Sequence, residues 1–322
     1  MEPEFEIISL LKKKAGGHIS GEALSARLGI SRTAVWKYIA SLRKAGYDIE
    51  GRSNKGYTLL SPESSPFNPH EIKSYITTEI IGKYLHFFPS IDSTNSKALE
   101  LARKNAPEGT VVVADAQEKG RGRVGRTWLS PAEANIYTSI ILRPDITPQS
   151  ALALTLMAAV AVAESVAAFI PRRVCVKWPN DVLIDGRKVA GILTEMSSEV
   201  DRVNFVVVGI GVNVNMDMKK TPAAIRGSAT SVMEKKGVET SRAALVGALY
   251  SNIEKWYKRF MEEGPPPVIS AWRKFFNGEG KPVKVKGVAG LTGICLGIDD
   301  SGALLVRTGA GVIEKVISGD VE

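Results

Sequence analysis

The sequence predicts an α+β protein in three parts: an N-terminal winged helix-turn-helix, a central mixed β-sheet with helices, and a small C-terminal β-barrel. Three observations predict it. Residues 12–57 hold ten Lys and Arg against three acids (Glu22, Asp48 and Glu50), so nearly all of the +8 net charge sits there. The rest of the 322 residues carries 32 basic and 31 acidic groups. A Ser-Pro-Glu-Ser-Ser-Pro run at 61–66 separates that part from a long stretch where apolar strand-like segments alternate with helical periodicity. Past Gly278 the apolar residues fall into short runs broken by glycines and by Asp299-Asp300, the pattern of a small all-β domain. The expected boundaries are 1–61, a linker at 62–66, then 67–277 and 278–322.

The N-terminal part begins with helices. Residues 5–14 carry apolar side chains at 7, 8, 10 and 11 and then three lysines, an amphipathic helix with cations near its C-terminus. Ser20 caps a second helix bearing Ala23, Leu24 and Leu28, stopped by Gly29. Ser31 caps a third, 32–45, with Val35, Ile39 and Leu42 as its buried stripe. The join Leu28-Gly29-Ile30-Ser31 has helix-turn-helix spacing, which makes the third helix the reader. Its outward residues are Ser31, Arg32, Thr33, Trp36 and Lys37, groups suited to phosphates and base edges. Residues 47–60 read as two alternating strands around a basic turn with Arg52 and Lys55, a wing. With the local basic excess, the pattern points to DNA; a protein-binding helical module with a solvated basic face is the alternative.

Asn68 caps the next helix, with Pro69 at its first position and an expected end near Gly82. Residues 84–88 form a strand, and Asp92 or Ser93 then caps a helix over 96–104. The N–H groups at that helix start suit a carboxylate or polar head group, or serve the cap alone. A buried strand at 110–116 delivers Gln117 and a loop to Trp128, in which Lys119, Arg121, Arg123 and Arg126 alternate with Gly120, Gly122 and Gly125. Glycines let backbone N–H groups approach a ligand, and guanidinium forks grip phosphate or carboxylate oxygens in pairs. The spacing also satisfies G-x-G-x-x-G, but Pro131 prevents the helix that a dinucleotide site requires directly after it. A basic surface loop without a ligand is the remaining alternative.

A strand at 135–142 and an alanine-rich helix from Ala151 to Ile170 follow. The strand 173–178 carries Lys177, stops at Pro179 and continues as Asn180-Asp181. Asp185-Gly186 turns into a strand at 188–196, and 204–213 is another, with glycines at 209 and 211 where a ligand or backbone can come close. A lysine in an apolar strand is costly to bury unless it meets an anion, so Lys177 is the best single catalytic candidate; an edge-strand surface lysine is the other reading. Helices at 241–261 and around Trp272 and Phe275-Phe276 complete the central part.

Composition narrows the chemistry. The two cysteines, Cys175 and Cys295, lie in separate apolar runs, form no metal or redox motif and suit a reducing cytoplasm. Three scattered histidines leave little for a histidine-based metal site or a Ser-His-Asp triad. The start, Met1-Glu2-Pro3-Glu4, is acidic without an apolar core, so no signal peptide is expected. The run from Ala151 to Ile170 contains Thr155, Glu164 and Ser165 and is expected to be a buried helix rather than a membrane span.

Taken together, Asp92-Ser93-Thr94-Asn95, Gln117, Gly120-Arg121-Gly122-Arg123-Val124-Gly125-Arg126, Lys177-Trp178-Pro179-Asn180-Asp181 and Gly209-Ile210-Gly211-Val212-Asn213 resemble the biotin–protein ligases. With its helix-turn-helix, the chain is similar to the bifunctional members that also repress biotin synthesis genes. The resemblance implies a catalytic domain like that of class II aminoacyl-tRNA synthetases and a C-terminal barrel of Src-homology-3 type. It implies that biotin and Mg2+-ATP give biotinyl-5′-adenylate and pyrophosphate, after which a lysine of a biotin carboxyl carrier protein attacks the mixed anhydride. By the same resemblance, Ser93, Thr94, Asn95, Gln117, Arg121, Gly122, Arg123, Lys177 and Gly191 would hold biotin. Gly120, Arg121, Gly122, Arg123, Arg126, Trp128, Lys177, Asn180 and Asn213 would hold ATP or the adenylate. Lys177, Arg121 and Arg123 would be catalytic, and no protein metal site is expected. The loop would be mobile without ligand, and the adenylate would favour a homodimer. A lipoate–protein ligase, or a DNA-binding biotin sensor without ligase activity, are the alternatives.

Overall fold

The computed structural model describes residues 3–14, 16–60, 66–286 and 290–321. The chain divides into two compact units, Met1–Ile76 and Thr77–Glu322. All of the expected linker except Pro66 lies outside the described residues.

The first unit contains α1 (Pro3–Lys13), α2 (Gly21–Leu28), α3 (Arg32–Lys44), β1 (Ile49–Arg52), β2 (Gly56–Leu59) and α4 (Pro69–Tyr75). The expected stripes meet in one core of Ile7, Ile8, Leu11, Leu24, Val35, Ile39, Leu42, Tyr47, Ile49 and Leu59. Ser20 Oγ accepts from the Ala23 N–H at 3.0 Å and Ser31 Oγ from the Ala34 N–H at 3.1 Å, so both serines act as caps. Gly29 ends α2 in the left-handed region, at φ +65°. β1 and β2 form an antiparallel hairpin, the wing.

Helix α4 is shorter than its sequence suggests. Asn68 caps it, accepting from the Glu71 N–H at 2.8 Å, but Ile76 is already extended. The β-branched run Ile76-Thr77-Thr78 has low helix propensity, which ends the helix well before Gly82. The helix packs within the first unit through its one acid. Glu71 is fully buried, ion-pairs with Lys12 of α1 and accepts from the Tyr47 hydroxyl at 2.8 Å. Asn68 Nδ2 donates to the Ala45 carbonyl at 2.9 Å. Burial, reinforced by the Glu71 charge, pushes the Tyr47 phenol well above its ordinary pKa.

The second unit opens with a segment pinned by a carboxylate. Glu254 accepts from the backbone N–H groups of Glu79, Ile80 and Ile81 at 3.0, 2.8 and 2.9 Å. Burial alone would raise its pKa, but those N–H groups and Lys258 outweigh it and hold the carboxyl below its ordinary value. The elements that follow are β3 (Leu85–Ile91), α5 (Thr94–Arg103), β4 (Val111–Gln117), β5 (Ile136–Leu142), α6 (Ala151–Ala167), β6 (Val174–Lys177), β7 (Asp181–Ile184), β8 (Arg187–Ser198) and β9 (Val203–Val212). Then come α7 (Ala223–Arg226), α8 (Val232–Lys236), α9 (Arg242–Glu263) and α10 (Pro266–Phe275). The strands form a seven-stranded sheet in the order β3-β4-β5-β9-β8-β7-β6. β3 and β4 run parallel and every other pair is antiparallel, so the sheet is mixed.

Helix α5 packs against β4, β5 and β9, and α6 against β6, β7 and β8 with α9 and α10 behind it. α6 is long and apolar enough to cross a membrane, yet its polar residues are all engaged inside the fold. Thr155 donates to Thr194 at 2.8 Å, Ser165 to the Ala161 carbonyl at 2.7 Å, and Glu164 accepts from the Trp256 indole at 3.0 Å. It is a core helix.

The C-terminal part holds β10 (Pro282–Lys286), β11 (Thr292–Ile298), β12 (Leu304–Thr308), β13 (Ile313–Val316) and β14 (Asp320–Val321), an antiparallel sheet in the order β13-β12-β11-β10-β14. The Trp178 indole donates to the Gly302 carbonyl at 3.0 Å, tying this sheet to the end of β6.

Candidate active site

A cleft of about 910 Å³, counted to its open mouth, lies over β8 and β9. Its walls are the start of α5, the loop after β4, the end of β6 and the last strand, β14. Among its lining residues are Ser93, Thr94, Asn95, Gln117, Arg121, Gly122, Arg123, Arg126, Trp128, Lys177, Asn180 and Gly191. The structure therefore brings together twelve of the fourteen residues expected to bind ligand. Gly120 is outside the lining; it is buried against Gln117, Trp128 and Ser130, and its carbonyl accepts from the Trp128 N–H at 2.9 Å. Asn213, expected to meet adenine or the metal's shell, is outside the lining; its Nδ2 donates to the Thr230 carbonyl at 3.0 Å and fixes the chain after β9.

The floor at the α5 end is a closed set of hydrogen bonds. Ser93, rather than Asp92, is the cap: its Oγ accepts from the Ser96 N–H at 3.5 Å, and the helix begins at Thr94, earlier than expected. Both the N–H and the hydroxyl of Thr94 donate to Gln117 Oε1, at 2.9 and 3.1 Å. The Gln117 amide then donates to Ser130 Oγ at 3.0 Å. Ser139 Oγ lies 2.8 Å from Thr94 Oγ1 and 2.6 Å from Asn95 Oδ1, and Asn95 Nδ2 donates to Leu193 O and Glu195 Oε2 at 3.1 and 2.9 Å. Buried polar groups that satisfy one another hold single orientations, which preorganises this end of the cleft. Gly209 belongs to the same set, because a Cβ there would overlap the Asn95 carboxamide.

The loop folds back on itself. Gly122 N donates to Arg126 O at 2.7 Å, a tight turn spans Arg123–Gly125, and Val124 at its tip is exposed with φ +53°, uncommon for a β-branched residue. Beyond the turn, the Trp128 indole lies over the glycine pair Gly191–Gly211, which face each other across the β8–β9 ladder. A Cβ on Gly211 would come within 2.5 Å of the ring. Among the described residues the Trp128 Nε1–H, buried at the cleft wall, has no hydrogen-bond partner.

The cations are mostly paired, Arg121 and Arg126 with acids that sequence reasoning did not single out, Glu195 and Asp320. Arg121 meets Glu195 at 2.6 Å, Arg126 meets Asp320 at 2.6 Å, and Lys188 meets Asp181 at 2.6 Å while lying 5.3 Å over the Trp128 ring. Arg123 donates to Asn180 Oδ1 at 3.2 Å and is 3.9 Å from Asp320. Asp92 beside Lys119 holds that ammonium's pKa above the ordinary lysine value. Lys177 faces Asp181 across the β6–β7 ladder, but the Asp181 carboxylate goes to Lys188. Among the described residues Lys177 has no carboxylate partner. An anion placed in the cleft would meet Lys177 and Arg123 as its least neutralised cations.

A second surface lies on the first unit. Arg32, Thr33, Trp36 and Arg52 line a shallow hollow between α3 and the wing, with Arg43 and Asn54. Ser31, Lys37 and Lys55 are exposed beside them, Ser31 spending its hydroxyl on the α3 cap. Trp36 is 59% exposed, an unusual position for an indole unless a partner covers it.

Comparison with known proteins assigns each part. Residues 87–213 match the biotin/lipoate A/B protein ligase family, residues 4–58 an HTH domain, and residues 280–322 a biotin protein ligase C-terminal domain. The bifunctional ligase/repressor BirA of Bacillus spizizenii is 42% identical over 98% of this chain and 97% of its own length. That of Escherichia coli is 33% identical over 98% and 95%. The structure of a biotin protein ligase from Aquifex aeolicus in complex with biotin and ATP superposes with a TM-score of 0.65. It is 31% identical and covers 74% of this chain and 98% of its own. The chain belongs to the bifunctional ligase/repressor family of biotin–protein ligases.

Proposed function

We propose that the cleft joins biotin to ATP as biotinyl-5′-adenylate and then passes the biotinyl group to a lysine of a biotin carboxyl carrier protein. The observation that carries this reading is the placement of Lys177 and Arg123, incompletely neutralised, facing the preorganised amide and hydroxyl groups at the start of α5. Ser93, Thr94, Asn95 and Gln117 suit the ureido ring and chain of biotin, above a floor of β8 and β9 that includes Gly191. The loop, from Gly120 through Gly122 to Arg126, with Trp128 and Asn180, suits the nucleotide. Biotin's carboxylate oxygen attacks the α-phosphorus of ATP, a P–O bond forms as the bond to pyrophosphate breaks, and a mixed anhydride results. Lys177 and Arg123 lie where charge grows on the α-phosphate and acyl oxygens, and Arg121 grips beside them, so these three stabilise the transition state. The carrier's amine then attacks the acyl carbon and AMP leaves. Asn213 supports the nucleotide side through the segment it fixes.

Magnesium enters as part of Mg2+-ATP. The acids near the cleft, Asp181, Glu195 and Asp320, are each engaged by a cation, and among the described residues no three metal-ligating side chains cluster. When bound, the ion neutralises the phosphates that the loop arginines do not reach.

In this division of labour, the part up to residue 61 reads operator DNA, 67–277 performs the chemistry and 278–322 supports the site. Ser31, Arg32, Thr33, Trp36, Lys37, Arg52 and Lys55 form the DNA surface. Adenylate occupancy favours a homodimer that presents two such surfaces to operator half-sites, and the protein acts in the cytoplasm. Incubated with biotin, ATP and Mg2+, the protein is expected to carry biotinyl-5′-adenylate, read by mass spectrometry of the denatured complex. A lipoyl adenylate formed in preference from an equimolar mixture would reverse the substrate assignment. Arg32→Ala with Lys37→Ala is expected to weaken operator binding and to flatten the slope of log affinity against log salt by about 2. An unchanged mobility shift would remove α3 as the reader.

A further inference from the structure

The ion pair between Arg126 and Asp320 joins the arginine loop to the C-terminal sheet. Asp320 stands on β14, the two-residue strand at one edge of the C-terminal sheet, held there by pairing with Lys286 of β10. Its carboxylate is 17% exposed and lines the cleft. One oxygen lies 2.6 Å from Arg126 Nη2 and the other 3.9 Å from Arg123 Nη1. The loop's other limb is held separately, by Arg121 on Glu195 of β8. Between the two fastenings lies a single 3-10 turn, Arg123–Gly125, closed by Gly122 N–H on Arg126 O at 2.7 Å and carrying Val124 in the left-handed region.

We propose that Asp320 is a positioning residue for the nucleotide: it clasps the far limb of the arginine loop through Arg126, and so aims Arg123 into the cleft. Both arginines line the cleft, and Asp320 makes its short contact with Arg126, 61% exposed, and only a long one with Arg123, 21% exposed, so its charge is spent chiefly on Arg126. With Asp320 satisfied by Arg126, the pair is close to neutral, and Arg123 is directed by Asn180 from one side and by the turn from the other. The C-terminal sheet thereby sets loop geometry at the reacting phosphate, where small displacements matter greatly.

The test reads the loop and the chemistry separately, because the second arm rests on the adenylate-forming reading above. In the ligand-free full-length protein, Asp320→Asn is expected to speed tryptic cleavage after Arg121, Arg123 or Arg126 by about tenfold with the thermal midpoint unchanged. In biotin-dependent ATP–pyrophosphate exchange it is expected to raise KM for ATP by about tenfold and to lower kcat by a similar factor, because Arg123 is no longer aimed at the reacting phosphate. Asp320→Glu restores part of the loss, and the swap Asp320→Arg with Arg126→Asp restores more than either single change. Unchanged cleavage and KM in Asp320→Asn would overturn the proposal, as would a fall in KM for ATP, which would make the carboxylate a competitor of phosphate. If the unaltered protein shows no biotin-dependent exchange, the adenylate reading fails, and the cleavage arm alone decides the clasp.

Discussion

Lys177→Ala is expected to lower biotin-dependent ATP–pyrophosphate exchange by about 10²–10³-fold, the loss typical of removing one preorganised donor to a developing charge. The fall should appear in kcat more than in KM, because Lys177 meets its strongest partner only as charge builds on the α-phosphate and acyl oxygens. The fold should be untouched. Lys177 is only partly buried and pairs with no described carboxylate, so its removal strands no buried charge. Near-normal turnover with an unchanged melting curve would place the catalytic cation elsewhere, with Arg123 the next to examine.

The second large effect concerns stability and lies in the first unit. Lys12→Met removes the cation that meets Glu71, leaving a fully buried carboxylate that still accepts from the Tyr47 hydroxyl. Breaking one half of a buried pair costs about 3–5 kcal/mol, whereas removing both halves together costs much less. Denaturant unfolding followed in the first unit should show that loss for Lys12→Met and a smaller one for Lys12→Met with Glu71→Gln. A loss below about 1 kcal/mol would mean that Glu71 is not held as an ion.

Much of this molecule was legible in its sequence because its signals are local. Ser20, Ser31 and Asn68 cap the helices they were expected to cap, since a cap is decided within four residues. Lys177, Asn180, Gln117 and the loop arginines line one cleft because each sits where an apolar strand ends, and strand ends gather at one edge of a sheet. The length of α4 was less legible. The pattern past Tyr75 carries no proline or glycine until Gly82, and only the low propensity of three β-branched residues marks the end.

The acidic partners of Arg121 and Arg126 were not legible at all. Glu195 is one polar residue in a long strand and Asp320 one acid near the end of the chain; neither has a spacing relation to the loop. Ser139 left a faint signal, a hydroxyl in a wholly buried strand, where an unpaired polar group would be costly. That rule could have marked it as facing the site. Contacts brought about by tertiary pairing alone leave no period to read.

The pairing of those arginines has a consequence for selectivity. Lone guanidinium groups would attract any anion, and inorganic phosphate or sulfate would compete for them in the cell. Here Arg121, Arg126 and Lys188 carry their own counter-charges, so the cleft presents a weak field at long range and a directional one only at close quarters, around Arg123 and Lys177. On the proposed function, a molecule that offers an acyl oxygen and a phosphate together would engage both Arg123 and Lys177, which an inorganic anion lacking the acyl oxygen would not.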